Sequence, residues 1–309
     1  MVNTPILFIP YIRVEYARKT FDAIKKGKPQ KLYFFSDKAN INKPDEIKQN
    51  DEIRSWIKEI DWDCELHTQF REEKKDLYVT LREAIQWVFD NEEYAIVLEE
   101  DCCPSLAFFD FCDYLLPKYA DDKRIGLITG INPCSNFNPN GYDYIFSRNW
   151  YMWGWASWKD RWNSIDWDNL DFKDMNAYGV WRSFYHSDRE RNYQYKVFRD
   201  NEEFLKRTKC WDFMFTLNNI CNNRMAIVPI LNLVKNIGAY GANFSGETMW
   251  QRLEVTQNDN YPINREPPYI SPDYRYDKHF FYVMYFKQTT FLWKVYKITR
   301  KILSLLKIK

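Results

Sequence analysis

The chain has 309 residues, 45% of them hydrophobic and 28% charged, which is enough apolar content for one large core or two small ones. Its 44 Lys and Arg nearly balance 43 Asp and Glu, for a net charge of +1, so no overall field attracts nucleic acid. The three His are too scattered for a zinc signature, and the seven Cys, with no CxxC, read as buried thiols in a reducing compartment.

The N-terminus, MVNTPILFIPYIR, lacks the basic start and long apolar stretch of a signal peptide and reads as a first core strand over residues 5–11. Residues 13–27 place Tyr16, Thr20, Phe21 and Ile24 near helical spacing, with Gly27 as a stop. KLYFFSD (31–37) is a second strand. An amphipathic helix over 44–60 carries Ile47, Ile53, Ile57 and Ile60, and DCELHTQF (63–70) is a strand. Leu77, Leu81, Ile85 and Val88 mark a helix over 77–91. YAIVLEED (94–101), residues 106–120 and IGLITGIN (125–132) read as strand, helix and strand.

Strands alternating with helices indicate parallel β/α units, and strands without apolar–polar alternation are buried on both faces. The first 130 or so residues therefore predict an open α/β sheet flanked by helices. Ligands of such sheets bind beyond the carboxyl ends of the strands. The polar residues there are Arg13, then Ser36 and Asp37, then Glu99, Glu100 and Asp101.

Residues 133–236 are less regular. RNWYMWGWASWKDRW (148–162) packs five Trp into 15 residues. KCWDFMFTLNNICNN (209–223) is a helix with Asp212 near its start, where an acid can also act as a cap. AIVPILNLVKNIG (226–238) is one strand-like segment, GAYGANFSGETMW (238–250) a loop, and 255–283 an extended stretch rich in Pro, Tyr, Asn and Asp. The last segment, 286–309, has seven Lys and Arg and no acid, with Phe291, Val295, Ile298, Ile302 and Leu305 in one stripe. It predicts a basic amphipathic helix lying on a membrane surface. No uncharged run reaches the roughly 18 residues that a spanning helix needs.

Three adjacent acids at the end of a buried strand repel one another, so either water solvates them or a cation neutralises them. Hard cations take oxygen ligands, and a diphosphate bridges readily to Mg²⁺ or Mn²⁺. Neither GxxxxGK[ST] nor GxGxxG occurs, which argues against a P-loop or a dinucleotide fold.

The order FIPYIR, LYFFSD, AIVLEEDCCPSLAFFDFCDYLL, WGWASW and CWD, over roughly residues 4–250, resembles GT-A glycosyltransferases. It is most similar to bacterial sugar transferases related to the N-acetylglucosaminyltransferase I type. The resemblance implies a metal-dependent transferase acting on a nucleotide-diphosphate sugar, a UDP-sugar above all, with Mn²⁺ or Mg²⁺ as cofactor. In it the acidic triplet is a DXD-like motif. Asp101 binds the metal, Glu100 faces the donor sugar and Glu99 supports it. Arg13 contacts the nucleotide, Asp37 meets the base or ribose, and Asp212 is the catalytic base of an inverting reaction.

The middle acid is Glu where Asp is usual, and the region before the fourth strand, REEKKDLYVTL, lacks the Gly-type residue of relatives. Lys74 or Lys75 is a candidate phosphate contact there. The loop 236–250 ends without the His found near this point in relatives, leaving Glu247 or Thr248 as substitutes. Trp153, Trp155 and Trp211 are candidates for stacking on an acceptor sugar, while Trp158 and Trp162, four apart, suit the core. Gly154 would allow close backbone approach.

The expected organisation is a catalytic domain over 1–250, with a nucleotide-binding half to residue 132 and an acceptor half beyond it. An extended segment (251–285) and the surface helix (286–309) follow. The enzyme is expected at the cytoplasmic face of the cell membrane, acting on a glycan, lipid-linked glycan or lipopolysaccharide-type core. A carbohydrate-binding protein without turnover and a nucleotidyltransferase are the alternatives. The second suffers from the absence of a Gly-rich, basic loop in FIPYIRVEYARK.

Overall fold

The apolar run at residues 6–9 forms strand β1 (Ile6–Ile9), buried along its whole length in a computed structural model that describes residues 1–135, 137–138, 140–238, 253–255 and 260–286. The β/α alternation follows in order: α1 (Val14–Gly27), β2 (Lys31–Ser36), α2 (Pro44–Ser55), β3 (Glu65–Phe70), α3 (Leu77–Asn91) and β4 (Tyr94–Glu99). A short β5 (Cys102–Pro104), then α4 (Leu106–Lys118) and β6 (Ile125–Thr129), complete the first half. The four leading strands lie in the order β3-β2-β1-β4, all parallel. Each helix supplies the crossover that parallel neighbours require.

Alternate residues of these strands enter different cores. Ile6 and Phe8 of β1, with Leu32 and Phe34 of β2, pack against Ala17, Phe21 and Ile24 of α1 and against α4. Leu7 and Ile9, with Tyr33 and Phe35, face Ala84, Ile85, Val88 and Phe89 of α3. The absence of apolar–polar alternation in these strands follows from burial on both faces. Phe8 meets Phe34 edge-on at 5.3 Å, and Phe21 stacks on Trp56 at 5.6 Å. Offset and edge contacts of this kind add about 0.5–1.5 kcal/mol per pair beyond area burial.

The second half extends the same sheet. Its elements are β7 (Tyr144–Ser147), β8 (Trp155–Trp158), α5 (Lys159–Asn163), α6 (Phe172–Tyr178), α7 (Val180–Phe184), α8 (Asp188–Asp200), α9 (Glu202–Thr208), α10 (Trp211–Cys221), β9 (Met225–Pro229) and β10 (Val234–Asn236). Strand order continues from β4 as β8-β6-β9-β7, with β8 antiparallel to both neighbours and β7 antiparallel to β9. The result is a mixed, mostly parallel eight-stranded sheet with helices on both faces.

Two expectations are corrected. Residues 226–238 are not one strand: β9 ends at Pro229, and β10 pairs antiparallel with β5 in a separate two-stranded sheet. Residues 255–283 are not wholly extended, since α11 (Tyr274–Phe281) begins at a capping Asp273, whose carboxylate accepts from the backbone N–H of Arg275 and Tyr276. Tyr276 and Phe280 bury fully into the core beside β7, so this segment belongs to the folded body. Among the described residues no helix is long and apolar enough to cross a membrane. The expected surface helix at 286–309 and the positions of Glu247 and Thr248 lie outside the described residues, apart from Phe286.

Candidate active site

Because β1 to β4 are parallel, their carboxyl ends share one edge, and the side chains that follow them meet there. Arg13, after β1, donates through Nε to Glu100 and through Nη2 to Asp101 at 2.9 Å. The backbone N–H of Tyr11 donates to the other oxygen of Glu100 at 2.6 Å. Burial works against the Arg13 charge, but the two carboxylates outweigh it and hold the guanidinium protonated. The repulsion expected of three adjacent acids is thus met in part by an internal cation.

Glu99, the last residue of β4, is not part of that pair. Desolvation pushes its carboxyl up to about 8, the charges of Asp101 and Asp212 add to the rise, and Arg13 opposes it. Its electrostatic coupling to Asp212 means that α10 delivers its acid to the end of β4. Asp212 sits in the first turn of α10, while Cys210 takes the cap position. The Asp212 carboxylate accepts from Phe213 N–H at 2.8 Å and from the Cys210 thiol at 2.9 Å.

Glu99 and Asp212 line one cleft of about 380 Å³, together with Trp153, Trp211, Tyr151 and Arg148. Tyr151 and Trp153 stack with rings 5.5 Å apart and 2° from parallel, forming an aromatic wall. Trp155 does not line the cleft. It lies on β8 with 1% exposure and stacks behind Trp211 at 5.2 Å, so its expected contact with acceptor is corrected to a supporting position. Trp158 and Trp162 are buried as well, which leaves Trp150 and Trp153 as the cleft members of the Trp-rich segment.

Asp37 lies at the same sheet edge, beyond β2, with 5% exposure. Arg71, after β3, reaches its carboxylate at 3.5 Å and Thr80 at 3.0 Å, and also pairs with Glu83. Arg54 donates to the carbonyls of Ser36, Asp37 and Arg71 at 2.9–3.1 Å, tying the ends of β2 and β3 together. Lys75 offers its backbone N–H to Asp37 at 3.3 Å, while its ammonium pairs with Glu83 at 3.1 Å. Lys74 reaches the Tyr11 hydroxyl and sits 4.3 Å from the ring centre. Sequence reasoning missed Arg71 and Arg54. Arg71 stands directly after a strand, as Asp37 does, so the same strand-end rule would have found it.

β10 closes this edge from above. Ile237 N–H donates to the Asp101 carbonyl at 2.9 Å, and a Cβ on Gly238 would collide with the Asp101 carboxylate. Gly154, with φ at +67°, faces Val234 so closely that a Cβ would lie 2.7 Å from its methyl carbon.

Among the described residues no group of three or more His, Cys, Asp or Glu side chains could hold a metal ion by itself. The donors near Asp101 are carboxylate oxygens. Asp101 gives Oδ2 to Arg13 and has the Cys102 thiol, at 3.7 Å, on Oδ1. This set does not make a closed protein cage. A hard cation held here would take one or two of these carboxylates, in competition with Arg13, and complete its shell with phosphate oxygens and water.

No family model matches the chain, and no curated protein does. Among solved structures the chain is similar to the mannosyltransferase PcManGT from Pyrobaculum calidifontis, in complex with GDP-Man and Mn²⁺, at 12% identity and a TM-score of 0.33. That match covers 53% of this chain and 46% of the mannosyltransferase, so it spans less than half of that protein. The glycosyltransferase GlyE of Streptococcus pneumoniae TIGR4 matches at 10% identity and a TM-score of 0.27, covering 86% of this chain and 66% of that one. A lactate dehydrogenase, MGS-M5, from a Medee basin deep-sea metagenome library matches at 11% identity and 0.20, covering 71% and 76%. At these scores the likeness is loose and bears on no residue of the site.

Proposed function

We propose that the chain is a glycosyltransferase that moves a sugar from a nucleotide-diphosphate donor, a UDP-sugar, to a glycan or lipid-linked glycan. One observation carries the reading. Glu99 at the end of β4 and Asp212 at the start of α10, far apart in sequence, line a single aromatic cleft, and the residues that follow Glu99, Glu100 and Asp101, are paired to Arg13 outside that lining. A leaving-group side and an acceptor side therefore adjoin.

On this reading Asp37 meets the base or ribose, Arg13 the nucleotide and Lys75 a phosphate, with Glu100 toward the sugar and Glu99 in support. Asp101 would hold Mn²⁺ or Mg²⁺ together with the diphosphate; bound there, the cation offsets charge growing on the leaving group. Trp153 and Trp211 offer flat apolar faces to the acceptor sugar, and Trp155 fixes Trp211 from behind. The acceptor hydroxyl oxygen attacks the anomeric carbon as the carbon–oxygen bond to the diphosphate breaks. Asp212 takes the hydroxyl proton, and the nucleoside diphosphate departs. Attack opposite the leaving group inverts the anomeric centre. The wider kinship proposed is with the N-acetylglucosaminyltransferase I type. The proposed location is the cytoplasmic face of the cell membrane, held by residues 286–309. A chain shortened before residue 286 that is recovered with membranes as fully as the whole chain would overturn that last part.

A second reading, a sugar-binding protein without turnover, is favoured by one observation: Arg13 occupies Glu100 and an oxygen of Asp101, the groups that a catalytic cation would need. One experiment separates the two. Thermal unfolding is followed with a panel of UDP- and GDP-sugars, with and without Mn²⁺, and donor hydrolysis is measured alongside. The transferase raises its melting temperature with one donor only when Mn²⁺ is present, because a ligand bound to the native state stabilises it. Asp101→Ala abolishes both that shift and hydrolysis. No response to any nucleotide sugar overturns the transferase reading.

A further inference from the structure

Arg148 follows β7 and lines the cleft that holds Asp212 and Trp153. Its guanidinium donates to the Phe184 carbonyl and lies 5.3 Å from the Phe184 ring centre. Among the described residues these are its guanidinium's only partners, and no carboxylate lies within ion-pairing distance. The acids that face it are Asp277 and Glu190, and both are engaged elsewhere. Asp277 accepts from the Ser147 hydroxyl at 2.5 Å and from the backbone N–H of Arg148 at 3.2 Å. Glu190 accepts from the Asn149 amide at 2.9 Å. The neighbouring His186 is a further titratable group sensitive to the Arg148 charge.

Burial lowers the pKa of Arg148 from its ordinary value, with Asp277 and Glu190 opposing. A guanidinium has five N–H donors in a planar fork and stays charged; in half-buried Arg148 the Phe184 carbonyl takes one of them, which leaves the others to water or a ligand. A carboxylate or phosphate matches that fork with two parallel hydrogen bonds.

We propose that the cleft takes an acceptor sugar bearing an anionic group, a carboxylate or a phosphate, with that group seated on Arg148 and a hydroxyl turned toward Asp212. That this sugar is an acceptor rests on the transferase reading; the anionic-sugar site does not. The aromatic wall contacts the ring, and Arg148 selects for charge. A neutral sugar makes the same ring contacts and gives the guanidinium no anionic partner.

The test is titration calorimetry on the full chain with methyl β-D-glucuronide, glucose 6-phosphate and methyl β-D-glucoside. At least one acidic sugar is expected to bind about tenfold or more tightly than the neutral one, a difference of about 1.4 kcal/mol. The tighter of the two acidic probes identifies carboxylate or phosphate as the recognised group. Arg148→Gln removes the difference, and Arg148→Lys retains part of it. Equal affinities in the unmodified chain, or no binding of any of the three, overturn the proposal without recourse to a variant. Donor hydrolysis in the same preparations keeps the two readings apart. Hydrolysis with no preference for charge overturns this inference alone. Preference for charge with no response to any nucleotide sugar overturns the transferase and leaves an anionic-sugar site.

Discussion

At the scale of single residues, chemistry at the sheet edge depends on groups held by neighbours that are not themselves reactive. Arg13 fixes Glu100 and Asp101, and Arg71 and Arg54 fix the surroundings of Asp37. Gly154 shows how little room remains. Its φ of +67° disfavours any side chain, and an added Cβ would also press on Val234 at 2.7 Å. Gly154→Ala is expected to cost about 1–3 kcal/mol, through the strained backbone and the overpacked contact together. Denaturant unfolding measures this; a variant as stable as the parent would show that β10 yields to the methyl group. The strand-end acids were legible from their sequence position, because an apolar run can only end in charge at the edge of a sheet. Trp153 and Trp155 were not separable in this way. They stand two apart around a glycine with positive φ, and that turn sends one to the cleft and the other into the core.

At the scale of elements, the first half of the chain was readable almost helix by helix. Its connections are local, and the apolar spacing of α1 and α3 matches the face each buries, whereas the helix expected over 44–60 ends at Ser55, buries Asn50 and Ile53, and leaves Ile47 outside both cores. The later helices were harder. α8 begins at Ser187, whose hydroxyl accepts from Glu190 N–H, and α11 begins at Asp273. Both carry a proper cap, yet residues 133–236 read only as irregular and the Pro, Tyr, Asn and Asp of 255–283 as extended. Burial of Tyr276 and Phe280 against distant segments outweighs that local composition. Asp273→Ala is expected to remove the cap and cost about 1 kcal/mol. An unchanged midpoint in urea would mean that packing alone holds α11 in place.

At the scale of the whole molecule, Glu190 and Asp277 form a buried acidic pair between α8 and α11. Burial pushes Glu190 from 4.5 up to about 7, and Asp277 from 3.8 up to about 6. Both folded values are raised, so the native state keeps protons that the unfolded chain releases. Stability from this source is full below pH 4 and is lost as pH rises through about 6 to 7. Glu190→Gln removes much of the loss. Relative to the parent, it should gain up to about 3 kcal/mol on going from pH 5 to pH 8. Urea unfolding at the two pH values measures it, and equal differences at both would show that Glu190 ionises freely in the folded protein.

The amino-acid order by itself determined the parallel β/α half, the edge where its strands end, and the acids and Arg13 that stand there. These features rest on local periodicity and on the rule that parallel strands finish together. Only the tertiary structure decided that Asp212 approaches Glu99, that Arg148 enters the same cleft, and that Trp155 sits behind Trp211. Those contacts join segments far apart in the chain. Their geometry comes from how α10 and the stretch between β7 and β8 pack on the sheet, which no local pattern encodes.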